Sequence, residues 1–400
     1  MANKVERTRP TSVVQASCQR GSQTDWRPGV NRRSFLQQSA GLAAAPFLAC
    51  LSGCDAPVRE QSDADYINGG AVAGRLGGRR VDILRLASLA PSGYNAQPWT
   101  VTIEDRDLWR IGSAPDRLLP LVDPENLNTL LSLGAFLENL IEAADTRGFR
   151  ADYEVIARRA TDTDVLRVRL RPAAPTQAST AAIRKRRTLR SGYRRQEIAA
   201  DDLDHLTRGL GGLEYFPVGT SKAAFLAEGA IEAERAQLAR QPAREQIADW
   251  IRWSGQEARR HANGLTPACL EMDAMEGWLA RTFYDREDTL SDSFRNSIVD
   301  RLAERVCNCG GWVALTAGDR GVPALIEAGR AFERFFLRLR ERRIAVQPIS
   351  SILVEQPWKD RVAAELGQGR QVLLVLRIGY VDRYPEPVSL RMPLPSFVRF

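Results

Sequence analysis

The sequence predicts an α+β chain built of two related halves, and three observations lead to that reading. A helical run opening at Gly134 carries Phe136, Leu137, Leu140 and Ile141, and a second opening at Gly329 carries Phe332, Phe335, Phe336 and Leu339. Glu138 and Glu333 stand at the same offset from those glycines, as do Arg147 and Arg342. Each run is followed by two strand-like segments, 152–156 and 165–170 in one half and 346–349 and 372–378 in the other, so the order of elements repeats as well. Between the halves lies Pro172-Ala-Ala-Pro175-Thr-Gln-Ala-Ser-Thr180, which has the composition of a linker. The expected organisation is a leader over 1–54, a tether over 55–78, a first half over 79–171, the linker over 172–180 and a second half over 181–400. A helical insertion rich in Arg, Glu and Trp is expected over about 212–308, either as a cover over a site or as a surface hairpin.

Taken from the N-terminal side, Arg32-Arg33-Ser34-Phe35-Leu36 precedes a short Ala/Gly-rich apolar stretch, and Leu51-Ser52-Gly53-Cys54 follows. The stretch is too short to span a bilayer, which needs about 20 apolar residues, so it reads as a removable twin-arginine signal ending in a lipobox. Cys54 would then carry the lipid and hold the globule at a membrane face, and Asp55 after it resembles an inner-membrane retention signal. The expected location is the periplasmic face of the inner membrane. Twin-arginine export moves folded proteins, which suits a chain that takes up a cofactor before it leaves the cytoplasm.

The net charge of +7 raises the question of a nucleic-acid partner. Residues 1–54 hold seven basic and two acidic side chains, which leaves only +2 for the rest, with no basic run interleaved with aromatics. Nucleic-acid binding is therefore not expected. With His205 and His261 the only histidines, and Cys269, Cys307 and Cys309 the only cysteines past residue 54, no tetrahedral metal site and no Ser/His/Asp or Cys/His hydrolase is expected either.

The densest chemistry lies in Ala90-Pro91-Ser92-Gly93-Tyr94-Asn95-Ala96-Gln97-Pro98-Trp99. Pro91 fixes φ and Gly93 admits positive φ, so a tight turn presents Ser92, Asn95 and Gln97 between a helical run and the strand-like Thr100-Val101-Thr102-Ile103. Such a loop can hold a flat polar ring. It resembles the flavin loop of the nitroreductase family, in which a helix ends in Ala-Pro-Ser and Asn-x-Gln-Pro-Trp leads into a strand. The resemblance implies a nitroreductase-like α+β fold, each half an antiparallel-type sheet flanked by helices, with flavin mononucleotide (FMN) as cofactor. Because the family works as a homodimer of shorter chains with FMN in the interface, two related halves look like that dimer fused into one pseudo-dimeric monomer.

Past the linker, Arg186-x-Thr188-x-Arg190 with Tyr193 is similar to the family's Arg-x-Ser-x-Arg/Lys opening. Two guanidiniums and a hydroxyl suit a phosphate, and one Arg at the ring edge would stabilise reduced flavin. The resemblance gives Arg391 the role of a final phosphate-binding residue and places Pro348 and Ile349 beside flavin N5, although the family's Gly-Leu before that segment is Arg343-Ile344 here. The Pro-Ser-Gly-x-Asn loop occurs in one half only and the arginine motifs in the other, so one FMN per chain is expected, bridging the halves. The implied activity is reduction of a small-molecule acceptor (a nitroaromatic, quinone or enone) through flavin N5, with electrons from quinol or a protein donor, and no protein side chain is assigned as catalytic. The rival reading is a non-catalytic protein that stores FMN beneath the insertion.

Overall fold

The computed structural model describes residues 70–400. Arg32, Arg33, Cys54 and most of the expected tether lie outside the described residues. Gly70–Leu76 (α1) falls within the stretch read as tether but is helical, and it runs on to Gly78–Ala87 (α2).

The first half continues with strands Trp99–Asp105 (β1) and Leu108–Ser113 (β2), helix Leu127–Thr146 (α3), and strands Phe149–Val155 (β3) and Asp164–Pro172 (β4). The second half begins with Ala181–Lys185 (α4) and Ala200–Thr207 (α5), then strand Leu213–Pro217 (β5). Six helices follow: Ser221–Ala239 (α6), Gln241–Ala248 (α7), Gly255–His261 (α8), Ala274–Phe283 (α9), Arg286–Leu290 (α10) and Asp292–Val306 (α11). The chain then returns to strand Gly311–Ala317 (β6), helix Val322–Glu341 (α12), strand Ile344–Pro348 (β7), helix Trp358–Leu366 (α13), strand Gln371–Tyr380 (β8) and strand Val398–Arg399 (β9).

One sheet has the order β3-β4-β2-β1-β9 and the other β5-β6-β8-β7. All pairings are antiparallel except β1 with β9. In each half the first four strands are arranged first, second, fourth, third, with the long helix between the second and third, so the topology repeats. β5 corresponds to β1. It lies inside the 212–308 stretch assigned to an insertion, yet pairs with β6 throughout its length, so the added helices run from Ser221 to Val306. The sheet edge is easily missed in sequence because β5 is short and ends in Pro217.

The halves meet where α3 crosses α12. Gly134 and Gly329 do not open these helices, as their sequence context suggests, but are the eighth residue of each 20-residue helix. A Cβ on Gly134 would lie 2.2 Å from the Ile326 carbonyl oxygen, and one on Gly329 would lie 2.2 Å from that of Leu131. Glycine in a helix interior costs about 1 kcal/mol relative to alanine, and backbone-to-backbone approach is what it permits here. Fifteen of the twenty α3 residues are buried, which explains why its sequence is apolar around most of its circumference. α12 keeps Arg330, Arg334 and Arg338 off the buried face, and two of them reach α3: Glu138 accepts from Arg330 at 2.8 Å and faces Arg334 at 3.4 Å.

Both long helices end with a left-handed residue. It is Gly148 (φ 79°) after α3 and Arg343 (φ 54°) after α12. The departure Arg343-Ile344 therefore leaves the backbone course of a glycine stop in place, at the steric cost a side chain pays there.

Gly134→Ala should lower stability by about 1–3 kcal/mol or more, as overpacking does. Gly93→Ala, whose Cβ would make ordinary contacts at 3.7 Å, should cost far less, and thermal unfolding of the two variants checks the contrast.

Candidate functional site

A cavity of about 330 Å³ opens between the halves, a size in the range of small-molecule sites. Pro91, Ser92 and Asn95 line it from the first half, and Arg186, Thr188, Arg190, Pro348, Ile349 and Arg391 line it from the second. Gln97 does not. It is fully buried, with Nε2 donating to the Ala262 carbonyl at 3.0 Å and Oε1 accepting from the Met392 amide at 2.9 Å. Its part is to tie three distant segments together.

The loop that sequence reading centred on is strained, but not at Gly93. Tyr94, Asn95 and Gln97 hold φ of 50°, 55° and 53°, while Gly93 is not among the positive-φ residues. Three left-handed non-glycine residues within four positions persist only where the surroundings hold them. Here those surroundings are explicit. Ser92 Oγ accepts from the Gln97 amide at 3.0 Å, and the Gly264 amide donates to the Asn95 carbonyl at 3.1 Å. Asn95 Nδ2 donates to the carbonyls of Gly264 and Leu390, both at 3.1 Å, while Oδ1 accepts from Arg391 at 3.0 Å. Asn95 is thus a bracket between loop, added helices and Arg391 rather than a group left open to a ligand.

Two guanidiniums converge on the end of α2. Arg391 donates to the Leu89 carbonyl at 3.0 Å, and Arg186 donates to the same oxygen. Arg186 also pairs with Glu333 of α12 at 3.3 Å and lies over the Phe336 ring, 4.8 Å from its centroid. Arg190 points elsewhere, donating to the Cys269 carbonyl at 2.6 Å. Its backbone amide meets Glu271 Oε1 at 2.6 Å. At the end of β7 the Ile349 amide already donates to the Val375 carbonyl at 2.9 Å, so it is spent within the fold and is not a donor for a ligand. Ser350, the next residue, also lines the wall.

The added helices supply a large share of the wall that sequence reading did not assign. Glu234 comes from α6, and Phe294, Ile298, Arg301 and Arg305 come from one face of α11. The spacing of these α11 residues at four, three and four was the available signal. What it could not give was the surface on which that face docks. Burial raises the Glu234 carboxyl, with Glu355 adding to the effect and Ser351 and Arg190 opposing it. Among the described residues no group of His, Cys, Asp and Glu could hold a metal ion, and no helix is long and apolar enough to cross a membrane.

No family model matches the chain. Two curated proteins of Mycobacterium tuberculosis, from strains CDC 1551 / Oshkosh and ATCC 25618 / H37Rv, are 30% identical over 124 residues and carry the provisional name NAD(P)H nitroreductase. The match covers 30% of this chain and spans only 36% of the length of those relatives. Among solved structures, the FMN-dependent nitroreductase NfnB from Mycobacterium smegmatis in complex with NADPH overlays with a TM-score of 0.33 at 18% identity, covering 55% of this chain and 96% of that one. A nitroreductase with bound FMN from Desulfitobacterium hafniense gives 0.33 at 12% identity over 55% and 96% of the two chains. The structure of a provisionally named nitroreductase from Anabaena variabilis gives 0.38 at 11% over 76% and 88%. The sequence match supports kinship with nitroreductase-like proteins; overlays at these scores add no weight to it.

Glu333 yields a pH prediction. Burial pushes its carboxyl up to about 7 from an ordinary 4.5, and Glu138 adds to this against the pull of Arg186 and Asn139. Between those pH values the folded chain holds a proton that the unfolded chain has lost, so stability falls as pH rises through the window and levels off above it. Glu142 is raised to about 7 in the same way. Glu333→Gln should flatten part of that fall, as read from denaturant midpoints at pH 5, 6, 7 and 8.

Proposed function

We propose that the chain is an FMN-binding oxidoreductase that holds one flavin in the cavity between its halves and reduces a small acceptor such as a nitroaromatic, quinone or enone. The observation that carries this reading is the convergence of a polar loop from one half and basic residues from the other on one cavity wall. FMN, when bound, supplies two-electron transfer through its N5 position. Arg186 and Arg391, fixed on the Leu89 carbonyl with Thr188 close in sequence, form the cationic end suited to a phosphate. Asn95 and Glu333 hold those guanidiniums in place, and residues of α6 and α11 form another part of the wall.

The corresponding place in the second half supports a single site. There the turn 209–211, between α5 and β5, stands where the Pro-Ser-Gly-x-Asn loop stands between α2 and β1. The space beside it is lined by Gly209, Gly211, Glu327, Arg334 and Arg370. Pro, Ser and Asn are missing from that turn, and a carboxylate faces the space.

The export reading remains a proposal resting on Arg32, Arg33 and the segment ending at Cys54. Outside the cytoplasmic membrane nicotinamide is not expected, so quinol or a protein would be the donor, whereas the name of the matched relatives carries NAD(P)H. A storage role is the second reading, favoured by the cover that α6, α7 and α11 place over the cavity.

Purified protein should carry flavin at a ratio near one per chain; a ratio near two, or a colourless protein that takes up no FMN, overturns the single-site reading. Bleaching by NADPH or by a quinol identifies the donor, and no bleaching by either, with dithionite also failing, supports storage. Asn95→Ala should weaken flavin retention and cost about 1–3 kcal/mol of stability through the carbonyls and the guanidinium it leaves unpaired, as measured by flavin release and thermal unfolding.

A further inference from the structure

The arginines around the cavity fall into two groups. Arg186 and Arg391 gather at the Leu89 carbonyl, whereas Arg190, Arg301 and Arg305 belong to the wall made by α11 and the 268–272 turn. Within the second group it is Arg305 that lacks an anion in contact. Glu271 is engaged on the far side of this group, Oε1 accepting from the Arg190 amide and Oε2 from Ser191 Oγ, each at 2.6 Å, and Glu234 acts on Arg190. The Arg305 guanidinium makes no hydrogen bond or ion pair with any described residue, while its backbone carbonyl accepts from Arg377 and from the Asn308 amide. Burial and the neighbouring Arg190, Arg377 and Arg301 pull Arg305 down to about 10, with Glu271 opposing them. A half-buried cation among cations is costly unless something anionic meets it.

The rest of α11 describes the partner. Ile298 and Phe294 line the cavity one and two turns before Arg301, and Leu270 and Met272 add apolar surface from the 268–272 turn. The helix face therefore passes from apolar to cationic along its length. We propose that Arg301 and Arg305 form an anion-recognition subsite for the acceptor, and that this acceptor is an apolar, ring-bearing molecule with a carboxylate or similar anionic group. The inference rests on the FMN reading for the acceptor's role but not for the subsite itself. It assigns to the added helices a selective function beyond covering the cavity.

The test uses the full chain as purified, with benzoate and benzyl alcohol as binding probes in calorimetry and 4-nitrobenzoate and 4-nitrobenzyl alcohol as acceptors. The wild-type chain should bind benzoate over benzyl alcohol by about tenfold or more. Arg305→Gln should remove most of that preference while its flavin-to-protein ratio stays as in the wild type, and Arg305→Lys should restore part of it. The nitro compounds should show the same preference as a difference in KM. Should Arg305→Gln fail to fold, Arg301→Gln carries the same comparison. Equal binding of the two probes by the wild type overturns the proposal. So does loss of flavin together with benzoate, which would make Arg305 a partner of the flavin phosphate and leave the FMN reading standing. A colourless protein that still prefers benzoate would remove the FMN reading and keep the subsite.

Discussion

Contact between Gly134 and Gly329 is the constraint on which the rest of the architecture turns. With no side chain on either, α3 and α12 approach until the backbone of one meets that of the other. This sets the separation of the two sheets packed outside them. It also fixes which faces of the helices look into the cavity: Asn128, Leu131 and Ser132 from α3 and Phe332 from α12. Charged residues one turn on respond to the same closeness. Glu138 of α3 meets Arg330 and Arg334 of α12, while Glu333 of α12 turns to Arg186, so equivalent positions serve different ends. The repeat is kept in backbone and has diverged in side chains.

That divergence explains what the sequence could show. The 90–99 loop was legible because its residues are contiguous and unusual together, and the strands at 152–156, 165–170 and 372–378 were legible because their alternation is local. The roles inside the loop were not. Asn95 and Gln97 look like ligand groups in isolation, but their partners lie at Gly264, Leu390 and Met392, up to 295 residues away. Gly93 was expected to carry the positive φ, yet those same long-range bonds force it onto Tyr94, Asn95 and Gln97. β2 and β5 escaped notice for a different reason, each being short and set beside turns. The wall built by α11 depends on docking, which no local pattern encodes.

Charge follows the same division. The chain's excess of basic residues looked like a property of 1–54, and past that point it is nearly balanced. Balance in sum conceals imbalance in place. Arg186, Arg187, Arg190, Arg301, Arg305 and Arg391 all line one cavity, where Glu234 is the carboxylate among the lining residues. Burial raises that carboxyl, which weakens its power to neutralise them. A cavity of this kind is electropositive even though the domain around it is not, and it concentrates anions from solution before any specific contact forms.

The pairing of β9 with β1 carries a consequence for how the chain is made. Residues 397–399 add a parallel edge to the first sheet, the Val101 amide donating to the Phe397 carbonyl at 2.7 Å, and Arg391 reaches Asn95 across 296 residues. At ribosomal speeds of about 5–20 residues per second, β1 waits on the order of 15–60 s between its own emergence and that of its neighbour. During that interval its edge is open to any extended segment nearby, including another nascent copy. The loop beside it is likewise without the partners that hold its left-handed turns. Synthesis thus has a vulnerable period set by topology alone, and a chaperone that covers β1 until residues 389–399 arrive would protect both the edge and the unfinished cavity.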